Sequence, residues 1–449
     1  MTRLAYRLYR LVSGARYRLA RRLTPAGGLV LIGLVLSGAI GVDLEQSVAA
    51  QAFAVLMCLL GGASLAGLFF RGRFSAERLL PRFGSVGQPF CYRVSVRNRS
   101  ARTWRDLELL EDLADPRPTL EQFIERSRPT SMNRSFRLAR RAPRHGDSRL
   151  AVLKPVPLPP LAPHGEAEVR VEVLPLKRGP LRFVGARIAR RDPLGLFRAF
   201  LRLPLPQTVL ILPKRYPLPP IALPGAHKYQ LGGVALAASV GESEEFVSLR
   251  DYRAGDPLRH VHWRSTARVG HPIVKEFEDE FFVRHALILD TFAGPDLALA
   301  FEEAVSLAAS FACTVDTQES LLDLMFVGPQ AVCFTAGRGV GHAEQALEIL
   351  AAVQPCRSRP FTALQALVLQ HAPVVSGCIC ILLAWDEPRR ALIRKLAALG
   401  LPLLVWVVTD AATAGQVTAE TEEDRPANFH VLAAGRIAEG LLRLRRTAA

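Results

Sequence analysis

The sequence predicts a multi-domain membrane protein. It comprises an N-terminal two-helix transmembrane hairpin, an antiparallel β-sandwich-like domain and a C-terminal α/β (Rossmann-like) domain. Three observations carry this. Two uncharged apolar runs occupy residues 26–42 and 49–70. Period-two alternation follows between Phe83 and Leu203, and from residue 286 short apolar strands alternate with helical patterns. The chain has 449 residues, enough for two or three cores, and its 49% hydrophobic and 22% charged content excludes a disordered chain.

The hairpin rests on length and charge. At 1.5 Å per residue the two runs suit a bilayer core of roughly 30 Å. Residues 1–22 form a basic arm with Arg3, Arg7, Arg10, Arg16, Arg18, Arg21 and Arg22 and no acid. Arg71, Arg73, Arg78 and Arg82 follow the second run, and the intervening DLEQSV is acidic. Arginine on both outer flanks predicts two cytoplasmic ends, with 23–70 as the hairpin. The second run anchors the chain even if the first resembles a signal-peptide core. Gly33, Ser37 and Gly41, and Gly62 and Ala66, recur every four positions, a spacing that lets helices approach closely.

Residues 71–205 contain FCYRVSVRNRS, AEVRVEVLPL and RFVGARIARRD, whose alternation reads as short antiparallel strands. A long polar insertion at 114–147 interrupts them. Seven prolines between Pro204 and Pro224 predict a stiff connector over 206–240. Residues 241–449 then carry strands such as ALILD, LLDLMFV, CICILLAW and LPLLVWVV between amphipathic helices, the pattern of a mostly parallel two-sided sheet.

Few motifs carry chemistry. The sequence has no P-loop, G-x-S-x-G or H-E-x-x-H. Gly337, Gly339 and Gly341 read as a glycine turn. Seven scattered cysteines fit a reducing compartment, and Cys378 and Cys380 lie in an apolar strand rather than a zinc turn. The densest polar stretch is GESEEFVSLRDYRAGDPLRHVHWRSTARVG, residues 241–270. Its five arginines are balanced by five acids, leaving no surplus cation for a nucleic acid. Gly255-Asp256-Pro257 reads as a turn that starts a helix, with Asp256 as cap, and Arg259, Trp263 and Arg264 one turn apart. His260 and His262 would lie about 200° apart on that helix, too far to share a metal.

The run EFVSLRDYRAGDPLRHVHWRSTAR resembles the signature of the bacterial domain of unknown function 58 (DUF58), and RRDPLGLFR (190–198) resembles its D-P-L-G-L-F turn. The matching positions are Glu245, Phe246, Arg250, Tyr252, Gly255, Asp256, Arg259, Trp263, Ala267 and Arg268. The resemblance implies a C-terminal von Willebrand factor type A-like domain and a MoxR-type AAA+ ATPase as partner; it implies no established activity. Type A domains hold a divalent ion through D-x-S-x-S and later Thr and Asp residues. Asp290, Thr362 and Asp386 match three of those positions, while Phe292 and Gly294 replace the two serines. The degenerate set predicts no cofactor, or Mg²⁺ no tighter than about millimolar.

The sequence thus reads as an integral-membrane interaction or scaffold protein, not an enzyme, with the 241–270 cluster as a structural clasp or partner surface. Two rivals stand beside it. One is a metal-dependent adhesion-type module built on Asp290, Thr362 and Asp386. The other is a hydrolase using the cluster's acids and histidines, for which no nucleophile, base and oxyanion donor can be assembled.

Overall fold

The structure, a computed structural model, describes residues 2–40, 48–115, 149–218, 246–256, 258–277, 283–315, 320–337, 343–419 and 425–447. Most of the polar insertion, most of the connector, Gly339, Gly341, Glu245 and Pro257 lie outside the described residues. The chain forms two compact units, Met1–Ile211 and Leu212–Ala449.

The first unit opens with three helices: α1 (Thr2–Arg22), α2 (Pro25–Ile40) and α3 (Val48–Leu68). Pro25 opens α2, where its missing N–H costs nothing. Thr24 caps that end, accepting at Oγ1 from Gly27 N at 3.1 Å. By length and composition α3 suffices to cross a membrane, and α2 is a shorter apolar helix. The two lie side by side: a Cβ on Gly38 would meet the Phe53 ring at 3.2 Å, and one on Gly33 would meet Leu56 at 3.4 Å. Of the small residues expected at this contact, Gly62 faces open space and Gly41 lies outside the described residues.

Strands β1 (Phe74–Leu79), β2 (Phe83–Ser85), β3 (Phe90–Asn98), β4 (Leu107–Leu113), β5 (Ala151–Leu153), β6 (Val156–Leu158), β7 (Glu166–Pro175), β8 (Gly179–Arg191) and β9 (Arg198–Leu212) follow. Among the described residues they form one sheet of order β1-β3-β7-β5 and another of order β2-β9-β8-β4-β6. The recorded pairings are antiparallel. Inward residues of both sheets, among them Val94, Val96, Val171, Leu107, Phe183 and Ile188, share one core. Within it the Arg78 guanidinium pairs with the Glu111 carboxylate.

One boundary moves. Residues 206–212, expected in the connector, instead complete β9 along β8. Prolines fit there because the register shifts between Phe183 and Gly185, opposite Pro204, where the ladder is already interrupted.

In the second unit β10 (Phe246–Asp251), α4 (Trp263–Val269) and β11 (Ile273–Phe277) precede the main sheet. That sheet is built from β12 (Val283–Leu289), α5 (Ala298–Thr314), β13 (Ser320–Val327), β14 (Ala331–Ala336), α6 (Ala343–Ala352), α7 (Thr362–His371), β15 (Gly377–Leu382), α8 (Glu387–Ala398), β16 (Leu403–Thr409), α9 (Ala411–Ala419), β17 (Asn428–Ala433) and α10 (Ile437–Thr447). Its order among the described residues is β14-β13-β12-β15-β16-β17, parallel except for the β13–β14 pair. The central strands are buried on both faces, which explains their unbroken Leu, Ile and Val runs. Tyr216, at the start of the connector, donates its N–H to Ser310 Oγ at 2.8 Å, and its hydroxyl pairs with Glu303 on α5.

Candidate functional site

Two arrangements in the second unit concern function: the polar cluster at 246–277 and the carboxylates at the ends of β12 and β15. The cluster folds around the antiparallel β10–β11 pair, whose register runs from Phe246 opposite Phe277 to Asp251 opposite Ile273. The Arg250 guanidinium grips the Asp256 carboxylate bidentately, at 2.7 and 2.9 Å. Arg253 N–H donates to the same carboxylate at 2.8 Å. These hydrogen bonds, Arg250 first, hold Asp256 down at about 2. Gly255 supplies the tight corner before it, at a φ of 108° that a side chain would strain. Asp251 pairs with His271 at 2.8 Å.

Asp256 therefore closes the turn backwards, onto Arg250 and Arg253. The chain makes a single 3-10 turn, Leu258–His260, and a bridge from Val261 to Val274. Only then does α4 begin, so Arg259 and Trp263 do not share one helix as the spacing suggested. The segment cannot run as one helix because Val261 and His262 are tied to β11, His262 N donating to Ile273 O at 2.8 Å. His262 Nδ1 meets Ser265 Oγ at 2.7 Å, a local contact at the start of α4. Thr266 Oγ1 accepts from Ile273 N at 3.0 Å and so pins α4 to the strands.

This braced frame leaves large apolar side chains in the open. Trp263 is 69% exposed and Leu258 70%. Arg259, Arg264, Ala267 and Arg268 are exposed as well, and Tyr252 is half-buried. Phe246 begins β10.

Open α/β sheets place ligands at the carboxyl ends of neighbouring parallel strands. Asp290 follows β12, Asp386 follows β15, and those strands are parallel neighbours. The cation between them is Arg389. Its Nε donates to Asp290 Oδ2 at 2.6 Å and its Nη1 to Asp386 Oδ2 at 2.5 Å. Burial pulls the guanidinium down, and the two carboxylates more than offset it, leaving its pKa raised. Backbone N–H groups also donate to both carboxylates. Asp290 Oδ1 accepts from Phe292 N at 2.9 Å, Asp290 Oδ2 also from Leu383 N at 3.0 Å, and Asp386 Oδ1 from Arg389 N at 3.3 Å.

Asp386 is thus both the N-cap of α8 and half of an ion pair. Phe292 packs edge-on against Phe361 with ring centroids 5.4 Å apart, and the guanidinium carbon of Arg389 lies 4.9 Å from the Phe361 centroid. Thr362 follows on the first turn of α7, exposed, while Asp290 is fully buried. These residues do not fit a divalent ion: the central position is filled by a guanidinium and both carboxylates are committed to N–H donors.

Sequence reasoning missed Arg389. Its signal was present, an arginine three residues after a helix-capping aspartate, in a helix that directly follows an apolar strand. The family likeness marked the 192–197 turn but gave it no role in packing. There Thr24 N donates to Leu196 O at 3.0 Å, and a Cβ on Gly27 would meet the same oxygen at 2.1 Å. Leu196 packs with Leu60 and Ala63 of α3, and Val30, Leu31 and Leu34 of α2 rest on that group.

Residues 248–382 match the model of the family described as "Protein of unknown function DUF58". The match supports the DUF58 family. "Uncharacterized protein YeaD" of Bacillus subtilis (strain 168) is 27% identical over 184 residues, covering 40% of this chain and 44% of that protein. The chain thus aligns with under half the length of this curated relative. Among solved structures, manganese-loaded Plasmodium vivax TRAP protein aligns at 12% identity and a TM-score of 0.24, over 36% of this chain and 73% of that one. E. coli alpha-2-macroglobulin in its native conformation aligns at 14% identity and a TM-score of 0.19, over 39% of this chain and 9% of that one. Both scores are too low to assign a fold. The DUF58 region contains the 248–277 frame, Asp290 and Thr362, and it ends short of Asp386 and Arg389.

Proposed function

We propose that this is a membrane-anchored interaction protein, held by a two-helix hairpin of α2 and α3, whose DUF58 frame is a docking surface for a partner protein. The observation that carries the reading is Trp263. A tryptophan 69% exposed on a frame fixed by Arg250–Asp256, Asp251–His271 and Thr266 is presented rather than packed. Exposed aromatic anchors on rigid supports are the usual centres of protein interfaces, where tryptophan and arginine contribute most of the binding energy. The exposed arginines Arg259, Arg264 and Arg268 on the same frame suit an acidic partner face.

The partner is a MoxR-type AAA+ ATPase, a choice that rests on the family resemblance. The α/β unit serves as a von Willebrand factor type A-like scaffold with an arginine in place of an ion, so docking does not require Mg²⁺. Both termini and both units face the cytoplasm, in keeping with arginine on the outer flanks of the hairpin. No observation favours the hydrolase, since the polar groups of the frame are engaged with one another at its surface.

A photo-cross-linking amino acid at position 263 of the full chain, in native membranes, tests the reading. Cross-linking to the ATPase, lost when the probe is moved to Glu168 on the other unit, is the expected result. Equal cross-linking from both positions, or from neither, overturns it.

A further inference from the structure

We infer that α1 is an in-plane membrane helix, its apolar stripe lying in the surface of an anionic phospholipid bilayer. This rests on the proposed anchoring and goes beyond it, because the helices that cross and the helix that lies flat are different elements. Apolar residues recur in α1 at positions 4, 8, 11, 12, 15 and 19, a single stripe at helical spacing, and its seven arginines fall largely outside that stripe.

The structure ties the C-terminal end of α1 down and leaves its apolar stripe open. Gly14 is buried, and Arg21 forms an ion pair with Asp112 on β4, its second nitrogen reaching Glu111 O at 3.3 Å. Arg21 thereby ties the last turn of α1 to the β-sandwich. On the stripe, Leu8 is 62%, Leu11 67% and Val12 56% exposed. Three neighbouring aliphatic side chains left open make an apolar patch of the kind that marks a contact with a membrane or a partner.

Two features identify that contact as lipid. The first is continuity: α1 runs through Leu23 and Thr24 directly into α2, whose Leu29, Val35 and Ile40 are themselves exposed, as are Val55 and Leu65 of α3. A surface shared with two such helices is a hydrocarbon boundary. The second is charge: seven arginines and no acid within 22 residues match anionic headgroups, and long arginine stems can reach up to them while the stripe is immersed. The helix would then lie between bilayer and β-sandwich, and the Arg21–Asp112 pair would set the distance of the sandwich from the membrane.

The test uses the full chain in nanodiscs, with Leu11→Trp and, separately, Val55→Trp in α3 as probes, against lipids brominated near the headgroup or deep in the acyl chain. In discs containing phosphatidylglycerol, the indole at position 11 should lose most of its fluorescence to the shallow bromines. That at position 55 should respond to the deep ones, and quenching at position 11 should fall when phosphatidylcholine replaces the anionic lipid. Quenching at 55 without quenching at 11 overturns the in-plane helix and leaves the anchor standing. Quenching at neither position overturns both readings. Equal quenching at 11 in the two lipids overturns the anionic assignment. Unchanged melting of each variant excludes misfolding as the cause.

Discussion

Arg389→Ala should destabilise the second unit more than any surface change of equal size. The side chain of Arg389 is 8% exposed and that of Asp290 fully buried, so the substitution leaves a carboxylate uncompensated in a dry site beside a second one. Removing one partner of such a pair costs about 3–5 kcal/mol. For a unit of this size 1 kcal/mol moves the melting temperature by roughly 2–4 °C, so the loss should be about 6–20 °C. The double variant Asp290→Asn, Arg389→Met should recover much of that, because replacing both charges removes the desolvation that neither could carry alone. The assay is thermal unfolding of the full chain with 10-fold steps of Mg²⁺. Wild type should be insensitive to the ion, whereas Arg389→Ala, with two carboxylates and no cation, should regain stability as Mg²⁺ rises. Unchanged melting of Arg389→Ala, or a wild-type protein stabilised by Mg²⁺ and destabilised by chelator, would refute the arginine's role as resident cation.

Gly27→Val should loosen the seat of α2 on the 192–197 turn, since its Cβ would fall 2.1 Å from Leu196 O; faster proteolysis near residue 195 is the readout. Asp256 is held at about 2 against an ordinary 3.8. Its contribution to stability is therefore present above about pH 4 and is lost as pH falls through 2. Asp256→Asn should flatten the acid limb of the unfolding curve in that window, and an unaltered limb would show the Arg250 clasp to be idle. Cysteines introduced at residues 45 and 150 report topology: an impermeant reagent added outside intact cells should label the first and not the second.

Much of the fold was legible because burial leaves a strong record. The central strands β12, β15 and β16 are apolar on both faces, and their runs read as a parallel sheet without any structure. Helix α9, AATAGQVTA, went unread because its small and β-branched residues carry little periodic signal. Strand β9 was hidden by Pro204 and Pro206, residues that argue for a connector until a register shift accommodates them. In the candidate site, the types and the strand-end placement of Asp290 and Asp386 were readable. What filled the space between them was not, because a guanidinium three residues into a helix looks in sequence like any surface arginine. The same holds for Asp256, whose partner Arg250 sits six residues back across a turn instead of ahead in a helix.

The most direct test of the docking surface is the affinity of the full chain, in nanodiscs, for the purified MoxR-type ATPase, compared between wild type and Trp263→Ala. Because Trp263 is exposed, the substitution should leave the melting temperature unchanged. An interface anchor of this kind is worth about 2 kcal/mol or more, so the dissociation constant should rise roughly 30-fold. Binding that is unchanged in Trp263→Ala would contradict the assignment of this frame as the partner surface.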